Sequence, residues 1–341
     1  WDWREAGKVT AVGNQGNCGS CYAFAATGNI ESKLLIDDAG SWDFSENNAK
    51  ECLWEEVNDW RSGLINRHGS CDGGFYSYLV NLFSQKGTVL ESCDPYVDQD
   101  VDCKTACQYQ KTVLDWRIIS GEVVPDTAVL KSYIQSYGPV WTSLYVGSAD
   151  ALGNCTDEWC DEFNQYDGSY ALYHPSAEAE VPNHAVLIVG WDDNLQPRGS
   201  SVRGAWIVKN SWGTDWGGPC GYGSGRGYFT IAYGSANTGM DSSLIHGWQD
   251  YDPNGGLLYY DDAGWNAGWG YNSTTAWGLC KFVPTRNTRV TRVEFWTTDA
   301  TTDVDVYIYD SFDGSRLSNL LFSRENLHFA EAGYHGVPVS P

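Results

Sequence analysis

The fold of this chain is decided by residues 15–28, which read Gln15-Gly16-Asn17-Cys18-Gly19-Ser20-Cys21-Tyr22-Ala23-Phe24-Ala25-Ala26-Thr27-Gly28. The glycine-rich first half predicts a loop, and Ser20 is a residue type favoured at a helix N-cap. Cys21 then takes the first helical position, where unpaired backbone N–H groups and the helix dipole favour an anion. A thiol held there ionises more readily, and the thiolate is the nucleophilic form. The pattern therefore predicts a reactive cysteine at a helix start.

The predicted helix carries one apolar face. Residues of that face recur at four-residue spacing: Tyr22, Ala26, Ile30 and Leu34. We expect the helix to end at Gly40. An alternative reading makes Cys18 and Cys21 a disulfide or a metal pair. A zinc site would need a second cysteine pair or closely spaced histidines, and none follows, so the nucleophile is favoured.

A family resemblance rests on these residues. The segment Cys18-Gly19-Ser20-Cys21-Tyr22 resembles the C-G-[SA]-C-[WY] signature of papain and cathepsin peptidases, with Tyr22 in place of the more usual Trp. The opening Asp2-Trp3-Arg4 also resembles the mature amino terminus of such enzymes. The resemblance implies an α+β, two-lobed fold, with a helical lobe and a β-barrel lobe. It also implies a zymogen, whose signal peptide and inhibitory prosegment have been removed from this sequence or left out of it.

Composition excludes some classes of protein. The 341 residues, 42% of them hydrophobic, are ample for two or three packed units. No run of eighteen apolar residues exists, so the sequence predicts no transmembrane segment. The formal net charge of −23 argues against binding to nucleic acid or anionic membranes, because both need positive surface. We interpret the acidity as a well-hydrated surface.

Eleven cysteines form an odd set. With Cys21 free, ten remain, enough for five disulfides, and this density predicts an extracellular or secreted protein. The family resemblance implies two pairs: Cys18 with Cys71, and Cys52 with Cys103. Three further pairs follow by elimination and depart from the family pattern: Cys93 with Cys107, Cys155 with Cys160, and Cys220 with Cys280.

The second catalytic segment is 183–191, in which five apolar residues predict a buried strand with His184 at its entrance. A lone histidine beside such a strand is usually structural, but its context here resembles that of the family's base. The resemblance implies that Asn210 accepts the histidine N–H and that Trp212 shields this bond. It also implies that Gln15, six residues before Cys21, holds the oxyanion.

Substrate contacts are also implied by the resemblance. Gly73 and Gly74 would offer extended backbone to the substrate, and Phe75 and Tyr76 would line a pocket for an apolar residue two before the cleaved bond. Asn183 stands where some relatives carry Asp. An insert at 53–70, with Trp54, Trp60, Arg61 and His68, either borders the cleft or forms a structural flap.

No metal or organic cofactor is required by this chemistry. Two acidic segments leave structural calcium open: the loop holding Asp157, Glu158, Asp161 and Glu162, and the EF-hand-like run 250–261. A solvated loop is favoured for the first and a polar turn for the second, since no predicted helices flank it.

A second unit begins near residue 244. Alternating segments at 290–296 and 304–309 predict half-buried strands and an all-β sandwich. The run 251–278 resembles the lectin-like domain appended to some prokaryotic papain-like peptidases. We therefore divide the chain into a peptidase domain, 1–243, and a lectin-like domain, 244–341, and we expect the sandwich to continue past Pro341.

The sequence predicts a secreted endopeptidase acting on proteins or peptides. Cys21 thiolate, paired with His184 imidazolium, would form a covalent acyl-enzyme, and the appended domain would serve docking or substrate capture through a glycan or cell-surface ligand. Exopeptidase relatives block part of the cleft with histidine or carboxylate groups from an insert, and no obvious insert of this chain supplies such groups. The insert at 53–70 nevertheless leaves an exopeptidase as an open alternative. The competing hypothesis is a lectin-like adhesin whose peptidase half is only a scaffold.

Overall fold

The computed structural model describes residues 1–61, 69–150, 152–261 and 272–339, with backbone alone for 55–61. Five α-helices and ten β-strands follow in chain order within these residues. They are α1 (Cys21–Ile36), α2 (Glu46–Arg61), α3 (Tyr76–Gln85), β1 (Lys111–Ile118), α4 (Thr127–Tyr137), β2 (Val140–Leu144), α5 (Glu158–Asn164), β3 (His184–Asp192), β4 (Ala205–Lys209), β5 (Tyr228–Ala232), β6 (Met240–Asp250), β7 (Arg292–Thr297), β8 (Asp303–Phe312), β9 (Leu317–His328) and β10 (Ala332–Pro338).

Helix α1 is the central helix of the helical lobe. Its predicted apolar face is fully buried, and the helix begins at Cys21 as expected. It ends at Ile36, however, and not at Gly40. Asp38 takes a left-handed φ of 56°, and the N–H of Ala39 donates back to the carbonyl of Leu34 at 2.9 Å. An aspartate therefore makes the terminating turn two residues before the glycine.

Helix α2 begins with a side-chain cap. The Ser45 hydroxyl accepts the N–H of Asn48 at 2.8 Å, which satisfies one unpaired donor of the first turn. The insert predicted at 53–70 begins inside this helix, where Trp54 Nε1 donates to the Tyr22 hydroxyl at 3.0 Å. His68 and the side chains of Trp60 and Arg61 lie outside the described residues, so the two readings of the insert stay predictions.

One antiparallel eight-stranded sheet joins the lobes, in the order β5-β4-β3-β2-β6-β1-β10-β7. One of its faces packs against α1 and α3 through a core that includes Tyr22, Trp116 and Ala185. A second core packs against the same strands under α4 and α5 and includes Leu130 and Phe163. The mixed helix-and-sheet fold predicted from sequence is confirmed. Since α1 and β3 are in contact, Cys21 and His184 are brought to one junction.

The C-terminal region is all-β, as predicted, with β7 and β8 at the two expected segments. Its strands are divided between two sheets. Strands β7 and β10 extend the eight-stranded sheet beside β1, whereas β8 and β9 form a separate hairpin. Strand β6 runs through the predicted boundary at 243/244 and pairs with β1 as far as Asp250. The two regions are thus joined by backbone hydrogen bonds.

Four of the five predicted disulfides are present: Cys18–Cys71, Cys52–Cys103, Cys93–Cys107 and Cys155–Cys160. The predicted Cys220–Cys280 pair is wrong, because both cysteines are free. Cys220 lies half-buried with its Sγ 3.8 Å from the Tyr166 hydroxyl, while Cys280 is exposed in a segment without strands. Elimination assumed that every remaining cysteine pairs, and nothing in the local packing requires this.

Buried carboxyl groups line a cavity of ≈ 210 Å³ between α1 and the strands β3 and β4. Glu31 accepts from the Thr10 hydroxyl at 2.6 Å, and Glu46 accepts from the Thr27 hydroxyl at 2.9 Å. Burial raises the pKa of Glu31 to about 7, opposed by the positive charge of Lys209. Burial, together with the charge of Glu31, raises the pKa of Glu46 to about 8. Both groups therefore bind their protons more tightly in the folded chain than in the unfolded chain.

These raised pKa values predict a pH-dependent stability. A carboxyl group that binds its proton more tightly when folded contributes stability below its unfolded pKa, and loses that contribution as pH rises through the folded pKa. We expect the free energy of unfolding to fall between about pH 5 and pH 9, and Glu46→Gln to flatten this fall by on the order of 2 kcal/mol. Urea unfolding across this range is the measurement.

The matched control is Glu5→Gln, which removes the same charge from an exposed position. We expect its pH profile to parallel that of the wild type. Parallel profiles for wild type and Glu46→Gln would contradict the role assigned to the buried carboxyl.

Candidate active site

Cys21 is the first residue of α1 and carries a free thiol that is partly buried. Burial raises the pKa of this thiol, and the nearby backbone N–H groups of Ala185, Tyr22 and Cys21 itself act in the opposite direction. Since Ala185 directly follows His184, the thiol lies near the start of β3. The Ser20 hydroxyl does not cap the helix as its position suggested; it is bonded to the Tyr96 hydroxyl at 2.6 Å. Ser20 thus holds the loop before the helix instead.

His184 and Asn210 form the predicted pair. The distance between His184 Nε2 and Asn210 Oδ1 is 2.7 Å, and the side chains are 6% and 3% exposed. Because an amide oxygen can only accept, Nε2 carries the proton in this bond. Nδ1 is then the ring nitrogen left for another partner. The Trp212 ring lies 5.1 Å from the imidazole ring, centroid to centroid.

Gln15 is fixed by contacts to both lobes. Its Nε2 donates to the carbonyl of Cys18 at 2.9 Å, and its Oε1 accepts the Ser211 hydroxyl at 2.6 Å. The backbone N–H of Gln15 also donates to the carbonyl of Ser211 at 2.8 Å. Sequence reasoning missed Ser211, although its place directly after Asn210 was a usable signal. Since Ser211 follows the histidine partner, it couples the position of Gln15 to that of Asn210.

Burial opposes a separate charge on either member of the Cys21–His184 site. It raises the pKa of the Cys21 thiol, and the N–H of Ala185 acts in the opposite direction. Burial likewise lowers the pKa of His184 to about 4, opposed by the Asn210 hydrogen bond. The sequence predicted a thiol that ionises readily, both because of the N–H groups and dipole of the helix start and because it pairs with the His184 imidazolium. For the thiol on its own, burial outweighs the effect of the backbone N–H groups on the pKa.

The glycine pair implied for substrate binding lies next to α1. Gly73 has a φ of 98°, in the left-handed region that favours glycine. A Cβ added at Gly74 would lie 2.6 Å from the Tyr22 ring, so this position excludes a side chain. Phe75 is 65% exposed and available to a ligand. Tyr76 is buried, with its hydroxyl bonded to Asn29 Oδ1 at 2.8 Å, so of these two neighbours only Phe75 is well exposed.

Asn183 is held by the loop that precedes α5. Its Oδ1 accepts the N–H of Val146 at 3.0 Å and its Nδ2 donates to the carbonyl of Gly147 at 2.7 Å. Phe163 of α5 packs edge-on against the Trp212 ring, with centroids 5.3 Å apart. This loop and helix therefore border the His184 side of the site.

The acidic residues considered for calcium do not converge. Asp157 caps α5 by accepting the N–H of Cys160 at 2.8 Å, and Glu162 pairs with Arg198 at 2.6 Å. At the second candidate segment, Asp250 pairs with Lys111. Within 1–61, 69–150, 152–261 and 272–339 no group of three or more His, Cys, Asp or Glu side chains is placed to hold a metal ion. No helix in those ranges is long and apolar enough to cross a membrane.

Comparisons with known proteins find similar folds and related sequences. The fold resembles the solved structure of the clostridial cysteine protease Cwp84 after propeptide cleavage, with a TM-score of 0.70 and 20% identity, over 99% of this chain and 79% of that one. Among curated proteins, rat (Rattus norvegicus) cathepsin J is 32% identical, covering 63% of this chain and 57% of its own length. A cathepsin L-like proteinase of Fasciola hepatica is 32% identical, covering 69% and 60% respectively.

The site and fold define a cysteine-protease class of protein. The family model described as papain family cysteine protease matches residues 1–247, and a lectin-like domain model matches residues 257–341. The chain therefore belongs to the papain family of cysteine proteases. Its alignment spans about three fifths of the length of these two curated relatives.

Proposed function

We propose that this chain is a secreted cysteine endopeptidase in which Cys21 is the nucleophile and His184 the general acid and base. The observation that carries the proposal is the free Cys21 thiol at the start of α1, which lies near the backbone N–H of Ala185. Ala185 directly follows His184, whose ring is fixed by Asn210. A structural cysteine would need neither the helix start nor the oriented imidazole.

The reaction would begin with proton transfer from the Cys21 thiol to His184. Because burial disfavours each charge alone, thiolate and imidazolium form together or not at all. The sulfur attacks the peptide carbonyl carbon, and His184 gives its proton to the leaving amine, which departs and leaves a thioester. Water then loses a proton to His184 and attacks the thioester. The acid product leaves, and the thiol is restored.

The developing oxyanion would be held by two N–H donors. One is the backbone N–H of Cys21 at the helix start, and the other is the second N–H of the Gln15 amide. The first Gln15 proton is used by the Cys18 carbonyl, which fixes the amide in place before substrate arrives. No metal or organic cofactor is needed for any of these steps.

Secretion is supported by the four disulfides, because such a density is typical of oxidising compartments. The endopeptidase assignment is tested with reduced protein and a mixed-sequence peptide library. We expect cleavage inside the peptides, and loss of cleavage after alkylation by one equivalent of iodoacetamide. Mass spectrometry should locate the adduct on Cys21. Cleavage confined to terminal residues would favour an exopeptidase, and full activity after alkylation of Cys21 would contradict the mechanism.

A second candidate function is binding, and the match of residues 257–341 to a lectin-like domain favours it. In this proposal the C-terminal region captures a glycan or cell-surface ligand and the peptidase acts on what is held there. A glycan array probed with the intact protein carrying Cys21→Ala tests the proposal. Binding to no sugar would count against a lectin role, and binding without any peptidase activity of the wild type would favour an adhesin.

A further inference from the structure

One tyrosine hydroxyl is bonded to both ends of the loop 15–20 that precedes α1. Tyr96 Oη lies 2.8 Å from the carbonyl oxygen of Gln15 and 2.6 Å from Ser20 Oγ. Gln15 is the first residue of this loop, and Ser20 is the last one before Cys21. The Tyr96 side chain comes from a different part of the chain, between α3 and β1. It therefore fixes the two ends of the loop relative to each other from outside.

The direction of these two hydrogen bonds follows from their chemistry. A tyrosine hydroxyl has one proton to donate, and a carbonyl oxygen can only accept, so the Tyr96 proton goes to Gln15. The Ser20 hydroxyl must then donate to Tyr96 Oη. Burial raises the pKa of Tyr96 to about 12, opposed by the Ser20 hydrogen bond, so the hydroxyl keeps its proton at neutral pH. Hydrogen bonds in series polarise one another, and each of these two therefore strengthens the other.

The Tyr96 hydroxyl has a rigid support. The backbone N–H of Tyr96 donates to Glu91 Oε1 at 2.7 Å. Its ring packs edge-on against Phe24 of α1, with centroids 4.8 Å apart. The disulfide Cys93–Cys107 closes the segment that carries Tyr96. Because backbone, ring and segment are each held, the position of the hydroxyl is set by the fold and passes to the residues bonded to it.

Both proposed oxyanion donors lie beside the two bonds. The free N–H of the Gln15 side chain extends from the residue whose carbonyl accepts the Tyr96 hydroxyl. The Cys21 N–H belongs to the peptide unit that directly follows Ser20, whose side chain is bonded to the same hydroxyl. Donors of this kind act because they are in place before the charge develops. A misplacement of about 1 Å in a reacting group can cost on the order of 10²-fold in rate.

We propose that Tyr96 is a positioning residue of the oxyanion site: its hydroxyl holds Gln15 and the Ser20–Cys21 peptide unit at the separation that the developing oxyanion needs. This inference rests on the proposed peptidase function. It adds to the site a residue that lies far along the chain from both catalytic segments. Since the oxyanion exists only during the reaction, the effect of Tyr96 falls on the transition state. Substrate binding and the reactivity of the Cys21 thiol do not depend on it.

The test is Tyr96→Phe, which removes the hydroxyl and keeps a ring beside Phe24. We expect kcat for a fluorogenic peptide to fall about tenfold and KM to stay within about twofold, the pattern of an interaction made only in the transition state. A peptide aldehyde places an oxygen at the oxyanion position once the thiol adds to it, so its affinity should also fall about tenfold. Iodoacetamide alkylates Cys21 without forming an oxyanion, and its rate should stay within about twofold.

Two further variants complete the experiment. Tyr166→Phe removes a comparable hydroxyl from the second core, where it is bonded to the Tyr170 carbonyl at 2.8 Å and to Thr230 Oγ1 at 3.2 Å. It should keep kcat and aldehyde affinity within about twofold, whatever it costs in stability. Ser20→Ala removes only the bond from Ser20 and should lower kcat less than Tyr96→Phe does. Combined in one chain, Ser20→Ala and Tyr96→Phe should behave like Tyr96→Phe alone, because both act through one hydroxyl.

The outcomes separate the two proposals. A kcat for Tyr96→Phe within about twofold of the wild type would overturn the role of Tyr96 and leave the peptidase standing. Equal falls in kcat and in alkylation rate would also overturn it, because the effect would then lie on the thiol. If Tyr96→Phe does not fold, Ser20→Ala decides, and wild-type kcat and aldehyde affinity in that variant would overturn the proposal. Failure of the wild type to cleave any peptide would remove the peptidase function and this inference together.

Discussion

Replacement of Cys21 by alanine is expected to lower kcat/KM for any cleaved peptide by about 10⁴-fold or more, because the covalent step has no other nucleophile in the site. The helix start should survive the change, since alanine has a high helix propensity and the sulfur makes no covalent bond. Circular dichroism and the thermal midpoint should therefore stay close to those of the wild type. Peptide hydrolysis under reducing conditions is the measurement.

The other two free cysteines supply the control. Cys280→Ala changes an exposed thiol, and Cys220→Ala changes a half-buried thiol whose pKa burial raises to about 11. We expect both variants to keep activity within about twofold. If Cys21→Ala retained wild-type activity while Cys220→Ala lost it, the site would be wrongly assigned.

Replacement of Trp116 by alanine is expected to have the largest effect on stability. Trp116 is fully buried in β1, with its ring edge-on to Tyr76 of the helical lobe and to Trp296 of β7, at 5.7 and 4.6 Å between centroids. Truncation would leave a cavity shared by three parts of the fold. We expect a loss of about 3–5 kcal/mol in the free energy of unfolding, measured by urea titration.

Trp116→Phe is the matched variant. It keeps an aromatic ring and removes a buried indole N–H that has no hydrogen-bond partner among the described residues. Because an unpaired buried donor carries a desolvation cost, its removal offsets part of the lost packing, and we expect a loss below about 2 kcal/mol. Equal losses for the two variants would show that ring packing is not what Trp116 contributes.

The sequence predicted well wherever a short motif carries its own geometry. The helix start at Cys21 and the buried strand after His184 need only local patterns, and both are present. The approach of Asn210 to His184 was implied by resemblance and is met at 2.7 Å. Cys21, His184 and Asn210 each lie at the end of a helix or strand. There the hydrophobic period of the sequence predicts the element, and the motif marks where it begins or ends.

The pairing of distant strands was not predicted. No local sequence pattern indicates that β10 pairs with β1. The alternation of apolar and polar residues predicts a strand, but it does not predict which other strand will pair with it. The bulge at Asp241 depends on a left-handed aspartate and a register shift, which an alternating pattern cannot show. Cys220 was assigned to a disulfide because it was one of two cysteines left over. The number of cysteines gives no information on the distance between them.

The pairing of β1 with β10 has a consequence for any shortened form of this protein. A chain that stopped after Asp250 would leave the N–H and carbonyl groups of 116–118 without the partners that β10 gives them. It would also uncover the Trp116 ring where Trp296 now covers it. An open, apolar strand edge is a template for self-association. The peptidase half produced alone should therefore aggregate unless that edge is redesigned with charged residues.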